Sequence, residues 1–399
     1  MSFTITEKGY SLRSPQNQLN PAVLQDMEKG PENCSSFLAC LTALCLRRKM
    51  SCNKPLALVS MDNCSHNGEK LQNAVMEIAA AWLNKGRISW DDYAYLEEKI
   101  SFPWTMIDKI TPRPHPMVEK QLTADGLEEI SPFVTAKNTY IAPYINGEKT
   151  QYLVIEDHFP NGRPPLQEAG VIITDRDTVN KVEKMKVCTC LNPLHTCLAI
   201  YGCLLGYSSI AEEMKDPQLN TFLRRMSREE GMPFVVDPGV INPARFLEEV
   251  LTERFPNPFM PDTPQRIATD TSQKLSVRYG ETIKSYMTSD IHNPSELKLI
   301  PLVLAGWLRY LMGVNDSGEQ FEVSPDPFYH SMKDKLKDLK KGNSIDTKLL
   351  HSILSDASIF GVDLYECGLA EKITEYFREL TAGKGAVRKT LEKYCTTSV

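Results

Sequence analysis

The feature that most constrains the fold of this chain is an apolar segment near its middle, residues 183–207, which reads EKMKVCTCLNPLHTCLAIYGCLLGY. The apolar residues that repeat there at the spacing of a helix are Leu191, Leu194, Leu198, Ala199, Ile200, Leu204 and Leu205. A helix this apolar is stable only when other parts of the protein cover it. The segment therefore predicts a core helix.

Three polar residues interrupt this segment: Lys186, Asn192 and His195. A single histidine on a core helix is more often a satisfied core residue than a functional one, because histidine is commonly half-buried in proteins. A lysine, an amide and an imidazole close together on a core-forming surface favour a functional interpretation. We therefore predict that the reactive centre lies here.

The three side chains suit the oxidation of an alcohol. A lysine held among apolar residues is less stable in its charged form, so Lys186 can act as a general base near neutral pH. The carboxamide of Asn192 can donate to an oxygen that becomes negative as the alcohol loses its proton. His195, one turn further on, can bind and orient a neighbouring hydroxyl. The reaction also requires a separate acceptor for the hydride.

Two alternatives stay open at this point. Lys184 could replace Lys186 as the base, and either lysine could instead be a solvated helix residue. Cys188, Cys190, His195 and Cys197 could form a zinc site, since thiolates and imidazole are zinc ligands. Their spacing argues against zinc, because Cys-x-Cys followed by His-x-Cys on one helix lacks the paired loops of structural sites.

The first hundred residues alternate between strand and helix patterns. SFTITEKGY at residues 2–10 is a β-branched run, and PLALVSMDN at 55–63 is a continuous apolar run typical of a buried parallel strand. Helical patterns cover residues 66–84 and begin again at Ser89, which can cap a helix. This alternation predicts an α/β domain with a parallel sheet.

Polar residues mark the ends of these two strand patterns. Glu7 follows the first, and Asp62 and Asn63 close the second. Ligands of parallel α/β sheets bind at the carboxyl ends of the strands. We therefore expect these residues to lie near a ligand.

The hydrophobic pattern changes near residues 175–177. Before this point, short strands are predicted near 133–143, 151–156 and 170–174, as a sheet extension or antiparallel edge. After it, helical patterns are predicted at 177–186, 193–207, 243–254, 272–286, 297–313, 327–341, 346–356 and 364–396. The prediction is an α/β domain at 1–175 followed by an all-helical domain at 176–399.

Composition points to a small molecule as the partner. A net charge of −6 and a pI near 5.8 provide no electrostatic reason to expect nucleic acid or an anionic membrane. The longest clean apolar run, residues 300–313, contains Arg309 and reads as a buried helix. The odd number of scattered cysteines, 11 in all, indicates reduced thiols and a cytoplasmic location. Neither the G-x-G-x-x-G nor the P-loop pattern is present.

A second basic pair lies in PDTPQRIATDTSQK, where Arg266 and Lys274 are eight residues apart. Arginine offers a fork for a carboxylate or vicinal hydroxyls, and lysine a point charge. Taken alone, two surface cations are the plainer interpretation.

Six blocks together resemble the mannitol dehydrogenase family, the polyol-specific long-chain dehydrogenases. They are TITEKGY at 4–10, SMDNCSHNG at 60–68, FPWTMIDKITP at 102–112, GRPPLQEAGVIIT at 162–174, residues 183–207 and RIATDTSQK at 266–274. The resemblance covers nearly the whole chain. It implies a Rossmann-type domain followed by a helical substrate-binding domain, NAD or NADP as hydride carrier, and no catalytic metal.

The resemblance also implies roles for individual residues. Lys186 resembles the general base, and Asn63 and Asn192 resemble the amides that hold the reacting oxygen. The residues that resemble the substrate-binding residues are His195, Arg266 and Lys274, and Glu183 resembles an acid that assists proton exchange. The blocks expected at the cofactor or the active-site cleft contain Glu7, Asp62 and Asp108.

The spacing of the lysine departs from the family pattern. The family usually places its lysine five residues before the asparagine, whereas Lys186 lies six before Asn192. One extra residue turns a side chain by about 100° round a regular helix. A π-bulge could absorb the extra residue, as could a break at Pro193, which has no N–H. We predict such an irregularity between Lys186 and His195.

The start of the chain also departs from the pattern. The family opens with a strand and a glycine-rich turn that hold the pyrophosphate of the cofactor, and these do not precede TITEKGY here. The expectation is therefore a partial Rossmann-type domain. A non-catalytic remnant that binds sugar or is only structural is the alternative hypothesis.

The leading hypothesis is a nicotinamide-dependent oxidoreductase of a linear sugar acid or polyol. It would interconvert a secondary alcohol and a C2 ketone, as in mannonate and fructuronate or mannitol and fructose. The sequence favours neither NAD nor NADP and makes no prediction of the oligomeric state.

Overall fold

The computed structural model describes residues 1–5, 7–14, 17–260, 262–336, 339–341 and 344–395. This part of the chain forms two compact units. The first comprises Met1–Ile110, Lys149–Glu183 and Pro238–Val240, and the second comprises Thr111–Glu148, Lys184–Asp237 and Ile241–Val399. The domain boundary at residues 175/176 stays a prediction.

The strands, in chain order, are β1 Ser2–Phe3, β2 Leu56–Ala57, β3 Val59–Ser60, β4 Ile100–Ser101, β5 Thr105–Asp108, β6 Phe133–Val134, β7 Tyr140–Ile141, β8 Tyr152–Glu156, β9 Ile172–Thr174, β10 Lys340–Lys341 and β11 Ser344–Ile345. The α-helices are α1 Pro21–Lys29, α2 Phe37–Cys52, α3 Asn67–Asn84, α4 Trp90–Glu98, α5 Pro116–Ala124, α6 Arg176–Lys184, α7 Asn192–Leu205, α8 Ile210–Glu213, α9 Pro217–Arg225, α10 Pro243–Glu249, α11 Pro264–Ile267, α12 Glu281–Met287, α13 Leu299–Tyr310, α14 Pro327–Leu336, α15 Thr347–Leu354, α16 Ala357–Phe360, α17 Ala370–Leu380 and α18 Ala386–Tyr394.

The first unit contains the predicted parallel pairing. Strand β1 pairs in parallel with β3, and β2 pairs in parallel with β4. Strand β8 lies between β5, to which it is antiparallel, and β9, to which it is parallel. The α/β class predicted for the first part of the chain is confirmed, and so is the antiparallel extension.

Helix α3 provides much of the core of the first unit. Its face carries Leu71, Val75, Ile78 and Trp82, all with no solvent exposure, at the spacing of one amphipathic helix face. The first turn of α3 lies directly on the segment after β4, because a Cβ added at Gly68 would be 2.5 Å from the carbonyl oxygen of Phe102.

The N-terminal strand is shorter than predicted. It ends at Phe3 instead of continuing towards Glu7, because side-chain hydrogen bonds replace the backbone ladder. Thr4 donates its hydroxyl to the Met61 carbonyl at 3.0 Å, and the Ile5 N–H donates to the Asp62 carboxylate at 3.1 Å. A 3-10 helix, Glu7–Tyr10, follows.

The second unit is mainly helical, as predicted, and α7 and α13 lie in its core. All residues of α13 are buried, which confirms the buried helix predicted at 297–313. Arg309 is accommodated there because its guanidinium donates to the carbonyls of Leu380, Val314 and Asn315. The tyrosine hydroxyl of Tyr201 on α7 donates to Leu302 of α13 at 2.8 Å.

The boundaries of two predicted helices were wrong. The helix predicted at 327–341 ends at Leu336, and the antiparallel pair β10–β11 follows. The helix predicted at 364–396 is divided into α17 and α18. Gly383 and Gly385 separate them with φ values of 152° and 75°, a backbone conformation that a right-handed helix cannot include.

The helical run 176–205, from α6 through α7, is long and apolar enough to cross a membrane by length and composition. Within the protein, however, 78% of its most apolar window is buried. This burial is typical of a core helix.

Candidate active site

The predicted irregularity between Lys186 and His195 is present. Residues Met185–Cys190 form a π-helix between α6 and α7. The Leu191 N–H donates to the Lys186 carbonyl, five residues earlier, at 3.0 Å. A π-turn of this kind holds one residue more than an α-turn. The bulge therefore absorbs the extra residue of the Lys–Asn spacing.

Lys186 lies within this π-helix and is buried, with 7% of its surface exposed. Asn192 begins α7 and is half-buried. Its carboxamide makes no hydrogen bond within the described part of the chain, so its donors remain available to a ligand. Lys184, the alternative base, is exposed.

Three further π-helices belong to the same unit: Met226–Gly231, Val250–Arg254 and Ser276–Gly280. Residues within and just after the last of these hold residues 188–193 in place. Tyr279 donates its hydroxyl to the Pro193 carbonyl at 2.5 Å, and Thr282 donates to Cys188 at 3.5 Å. π-Bulges occur frequently at functional sites, which favours a functional role for this part of the second unit.

His195 is a neutral imidazole in a positively charged environment. Burial, followed by the charges of Arg278, Arg266, Arg254 and Lys274, lowers the pKa of His195 to about 3. Among the described residues its buried Nε2 atom has no hydrogen-bond partner, and the nearest carboxylate oxygen of Asp262 is 3.7 Å away. The Phe255 ring covers it at 5.2 Å. A neutral His195 can therefore exchange a hydrogen bond with a substrate hydroxyl.

The structure brings Arg266 and Lys274 close to His195, as the predicted grouping requires. Both are near enough to lower the pKa of the imidazole. Arg266 forms an ion pair with Asp262, and 62% of its side chain is exposed. Lys274 is half-buried and donates to the Thr269 carbonyl at 2.5 Å. The substrate-binding roles of the three residues stay predictions.

Sequence reasoning missed two members of this cluster, Asp262 and Arg278. Asp262 is buried and lies four residues before its partner Arg266. Arg278 lies four residues after Lys274. This i, i+4 spacing was a usable signal, because side chains four residues apart share a helix face.

Asp62 and Asn63 follow strand β3 in the first unit. Asn63 is exposed. Asp62 is buried and accepts hydrogen bonds from the Tyr10 hydroxyl at 2.6 Å, the Ile5 N–H and the Cys64 N–H. These bonds attach the N-terminal segment to the end of β3, so Asp62 has a structural role whether or not it also faces a ligand.

Glu183 accepts a hydrogen bond from the His66 backbone N–H at 3.4 Å. The His66 ring stacks on Trp104 at 4.3 Å, and its Nε2 atom lies 3.1 Å from Asn180 Oδ1. His66 has a left-handed backbone with φ 51° and precedes α3. It was missed from the sequence, although it lies in the block SMDNCSHNG.

The remaining predicted positions are less informative. Asp108 is buried at the end of β5, opposite Tyr152 of β8. The side chain of Glu7 lies outside the described part of the chain.

The structure does not support the zinc alternative. Among the described residues, no group of three or more His, Cys, Asp or Glu is placed to hold a metal ion. Cys190 is buried, its thiol points at the Pro243 carbonyl at 3.8 Å, and burial raises its pKa to about 12. A thiol in this environment does not readily become the thiolate that zinc requires.

The end of β3 is where a parallel sheet of this class holds a nucleotide. Helix α3 starts shortly after this strand with no side-chain cap from His66, and a helix N-terminus at the carboxyl edge of a parallel strand favours phosphate groups. The exposed amide of Asn63 adds a neutral donor at the same edge.

The chain contains both domains of one enzyme family. The profile of the mannitol dehydrogenase Rossmann domain matches residues 3–168, and that of the mannitol dehydrogenase C-terminal domain matches residues 178–381. The chain therefore belongs to the mannitol dehydrogenase family, as its motifs suggested. It is an NAD-type oxidoreductase of the alcohol dehydrogenase class.

Individual relatives narrow the class to polyol or sugar-acid oxidoreductases. D-mannonate oxidoreductase of Thermotoga maritima is 51% identical over 395 residues, which cover 98% of this chain and 73% of the relative. Mannitol 2-dehydrogenase of Emericella nidulans is 31% identical over 408 residues, covering 99% and 73%.

Two solved structures share the fold. Substrate-free D-sorbitol dehydrogenase superposes with a TM-score of 0.79 at 26% identity, covering 98% of this chain and 74% of that one. Mannitol 2-dehydrogenase of Pseudomonas fluorescens, in a ternary complex with NAD and D-mannitol, superposes with a TM-score of 0.70 at 24% identity, covering 98% and 73%. The predicted order, a Rossmann-type domain followed by a helical domain, is confirmed.

Proposed function

We propose that this protein interconverts the secondary alcohol of mannonate and the C2 ketone of fructuronate, with mannitol and fructose as the second candidate pair. The observation that carries the proposal is the π-helix Met185–Cys190, which holds the buried Lys186 just before the half-buried Asn192. These residues supply a base and an amide donor at the head of one helix.

In the proposed reaction, Lys186 takes the proton of the substrate hydroxyl, and Asn192 donates to the oxygen as its negative charge develops. Asn63 is proposed as the second amide, a role that rests on the family resemblance. The nicotinamide, when bound, accepts the hydride.

Three further residues are proposed to orient the substrate, and four others are proposed to serve proton exchange or the cofactor site and cleft. His195, Arg266 and Lys274 are proposed to bind the sugar hydroxyls or the carboxylate, since they supply neutral and cationic groups in one cluster. Glu183 is proposed to exchange the proton of Lys186 with solvent. Glu7, Asp62 and Asp108 are proposed as residues of the cofactor site or the cleft.

Two observations favour the sugar acid over the neutral polyol. The relative with 51% identity is a D-mannonate oxidoreductase. Four cations of the second unit, Arg254, Arg266, Lys274 and Arg278, also lie near enough to His195 to lower its pKa, and Arg278 forms no ion pair with a carboxylate among the described residues. Arginine and lysine bind carboxylates through charge-assisted hydrogen bonds.

The test is fructuronate reduction by the Lys186→Ala variant. Loss of a general acid or base lowers turnover by about 10²- to 10⁴-fold, and we expect a loss in this range. Lys184→Ala is the matched control, because Lys184 is exposed and only two residues away; its activity should stay within about twofold of the unmodified protein.

The opposite pattern, loss with Lys184→Ala and retention with Lys186→Ala, would assign the base to Lys184. A folded protein that binds neither NADH nor NADPH in titration calorimetry would instead support the non-catalytic remnant.

A further inference from the structure

Arg278 lies beside the helix that carries the proposed reactive centre. It belongs to the π-helix Ser276–Gly280 and donates a hydrogen bond to the hydroxyl of Thr196 on α7. Thr196 in turn donates to the Asn192 carbonyl at 3.0 Å. Because Thr196 follows Asn192 by four residues, the two lie on one face of α7. Arg278 thus contacts α7 one helical turn after Asn192.

Arg278 differs from the neighbouring Arg254 and Arg266 in how its positive charge is balanced. Arg254 forms an ion pair with Glu148 in which each side chain is 2% exposed, and Arg266 pairs with Asp262. Within the described residues, Arg278 makes no ion pair with a carboxylate, and its hydrogen-bond acceptor is the neutral Thr196 hydroxyl. Burial lowers the pKa of its guanidinium to about 10.

Arg278 is half-buried, and a cation withdrawn from water without a carboxylate is destabilising unless a ligand supplies the negative charge. The guanidinium has five N–H donors in a planar fork that matches the two oxygens of a carboxylate. The single bond to Thr196 leaves most of these donors for a ligand.

The distances along α7 fit the length of a hexuronate. Four helical residues separate Asn192 from Thr196, an axial distance of about 6 Å at 1.5 Å per residue. In fructuronate, four C–C bonds separate the ketone carbon from the carboxylate carbon, which corresponds to about 5 Å in an extended chain with bonds of about 1.5 Å. A substrate that lies along α7 with its ketone at Asn192 therefore has its carboxylate at the level of Arg278.

We propose that Arg278 binds the terminal carboxylate of the substrate and makes the enzyme specific for sugar acids over neutral polyols. This inference rests on the proposed function. Arg278 acts at the end of the substrate that does not react, so it contributes to binding and leaves the chemical step unchanged.

The experiment compares fructuronate and fructose reduction by Arg278→Gln. A hydrogen bond to a charged group contributes about 1.5–3 kcal/mol, so kcat/KM for fructuronate should fall by about 10- to 150-fold, mainly through a higher KM. Fructose lacks the carboxylate, and its kcat/KM should change by less than about threefold.

Three variants separate substrate binding from a structural role. Thr196→Val removes the hydroxyl that links Arg278 to Asn192 but keeps the guanidinium, so the preference for fructuronate over fructose should persist. Arg278→Lys keeps the charge but not the fork, and should lower kcat/KM for fructuronate less than Arg278→Gln does. Arg245→Gln is the control, because Arg245 is an exposed arginine of the same unit.

An equal loss for both substrates in Arg278→Gln, or the same loss of preference in Thr196→Val, would show that Arg278 only positions α7 and would overturn the proposal. If Arg278→Gln does not fold, Arg278→Lys provides the test. In that case an unchanged preference for fructuronate over fructose overturns the proposal. An unmodified enzyme that reduces neither substrate would refute the proposed function instead. In that case calorimetric binding of mannonate and mannitol to unmodified protein and Arg278→Lys still tests the carboxylate contact.

Discussion

His195 and Glu213 are both held neutral by burial, but they differ in what surrounds them. Four cations and the Asp262 carboxylate lie near His195, whose Nε2 atom has no hydrogen-bond partner among the described residues. Glu213 is fully buried beside Gly202 of α7, where an added Cβ would lie 2.3 Å from a Glu213 oxygen. In the part of the chain that the structure describes, neither of its carboxyl oxygens has a hydrogen-bond partner. The arrangement around His195 suits a ligand. The arrangement around Glu213 destabilises the folded state.

The neutral state of His195 leads to a prediction about pH. With a pKa of about 3, the imidazole does not change charge between pH 5 and pH 8, roughly the range in which an ordinary histidine titrates. Any acid limb of kcat/KM in this range should therefore keep its position in His195→Gln, while KM rises by about 2- to 13-fold for a lost hydrogen bond of 0.5–1.5 kcal/mol. A limb that disappears in the variant would show that His195 titrates.

The buried carboxyl of Glu213 leads to a prediction about stability. Burial raises the pKa of Glu213 well above its usual value. As the pH rises above the unfolded pKa of about 4.3, the unfolded chain loses this proton while the folded protein keeps it, so the folded state becomes less stable.

Glu213→Gln removes this pH dependence. Relative to the unmodified protein, its free energy of unfolding should increase between pH 5 and pH 8, by at most about 1.4 kcal/mol per pH unit. Urea denaturation at both pH values measures the difference. A difference that does not vary with pH would show that Glu213 ionises in the folded state.

At the scale of elements, the second unit joins its helices through groups that lie far apart in the sequence. Helix α13 has no side-chain cap of its own. The carboxylate of Glu230, in the π-helix Met226–Gly231, accepts the N–H groups of Lys298, Leu299 and Ile300 at 2.7 Å. It therefore satisfies three of the backbone donors that a helix N-terminus leaves open.

Glu230→Ala should consequently destabilise the protein by about 2–4 kcal/mol, because several buried N–H groups lose their acceptor at once. Glu229→Ala is the matched control. Glu229 is exposed and pairs with Arg225 on the surface, and such a pair contributes about 1 kcal/mol or less. Chemical denaturation of both variants provides the comparison; equal effects would mean that the Glu230 cap is not stabilising.

Local patterns predicted much of this fold and less of the site. The helix at Ser89 and the irregularity after Lys186 were predictable, because capping chemistry and helical spacing act over a few residues. Asp262 and Arg278 could not be assigned as readily, since their proximity to His195 depends on tertiary packing. The length of β1 was also predicted wrongly, because the Ile5 N–H donates to the side chain of Asp62, a residue far along the chain.

For the whole molecule, family membership predicts that a nicotinamide cofactor stabilises the folded state. A ligand that binds only the folded protein adds about 2.7 kcal/mol at a concentration of one hundred times its Kd. Thermal unfolding with NADH and NADPH should therefore show a higher midpoint with at least one of them, and the larger shift identifies the preferred nucleotide. Adenine alone serves as the control. No shift with either nucleotide would contradict the assignment of the cofactor.

The cytoplasmic location stays a prediction.

The π-helix Met185–Cys190 also affects how catalytic roles are transferred between relatives. An ungapped comparison that counts back five positions from Asn192 arrives at Val187, which has no ionisable group. A comparison that allows one unmatched residue within the π-turn arrives at Lys186. For this chain, a one-position gap inside an apparently continuous helix decides whether a search for the base finds a lysine or a valine.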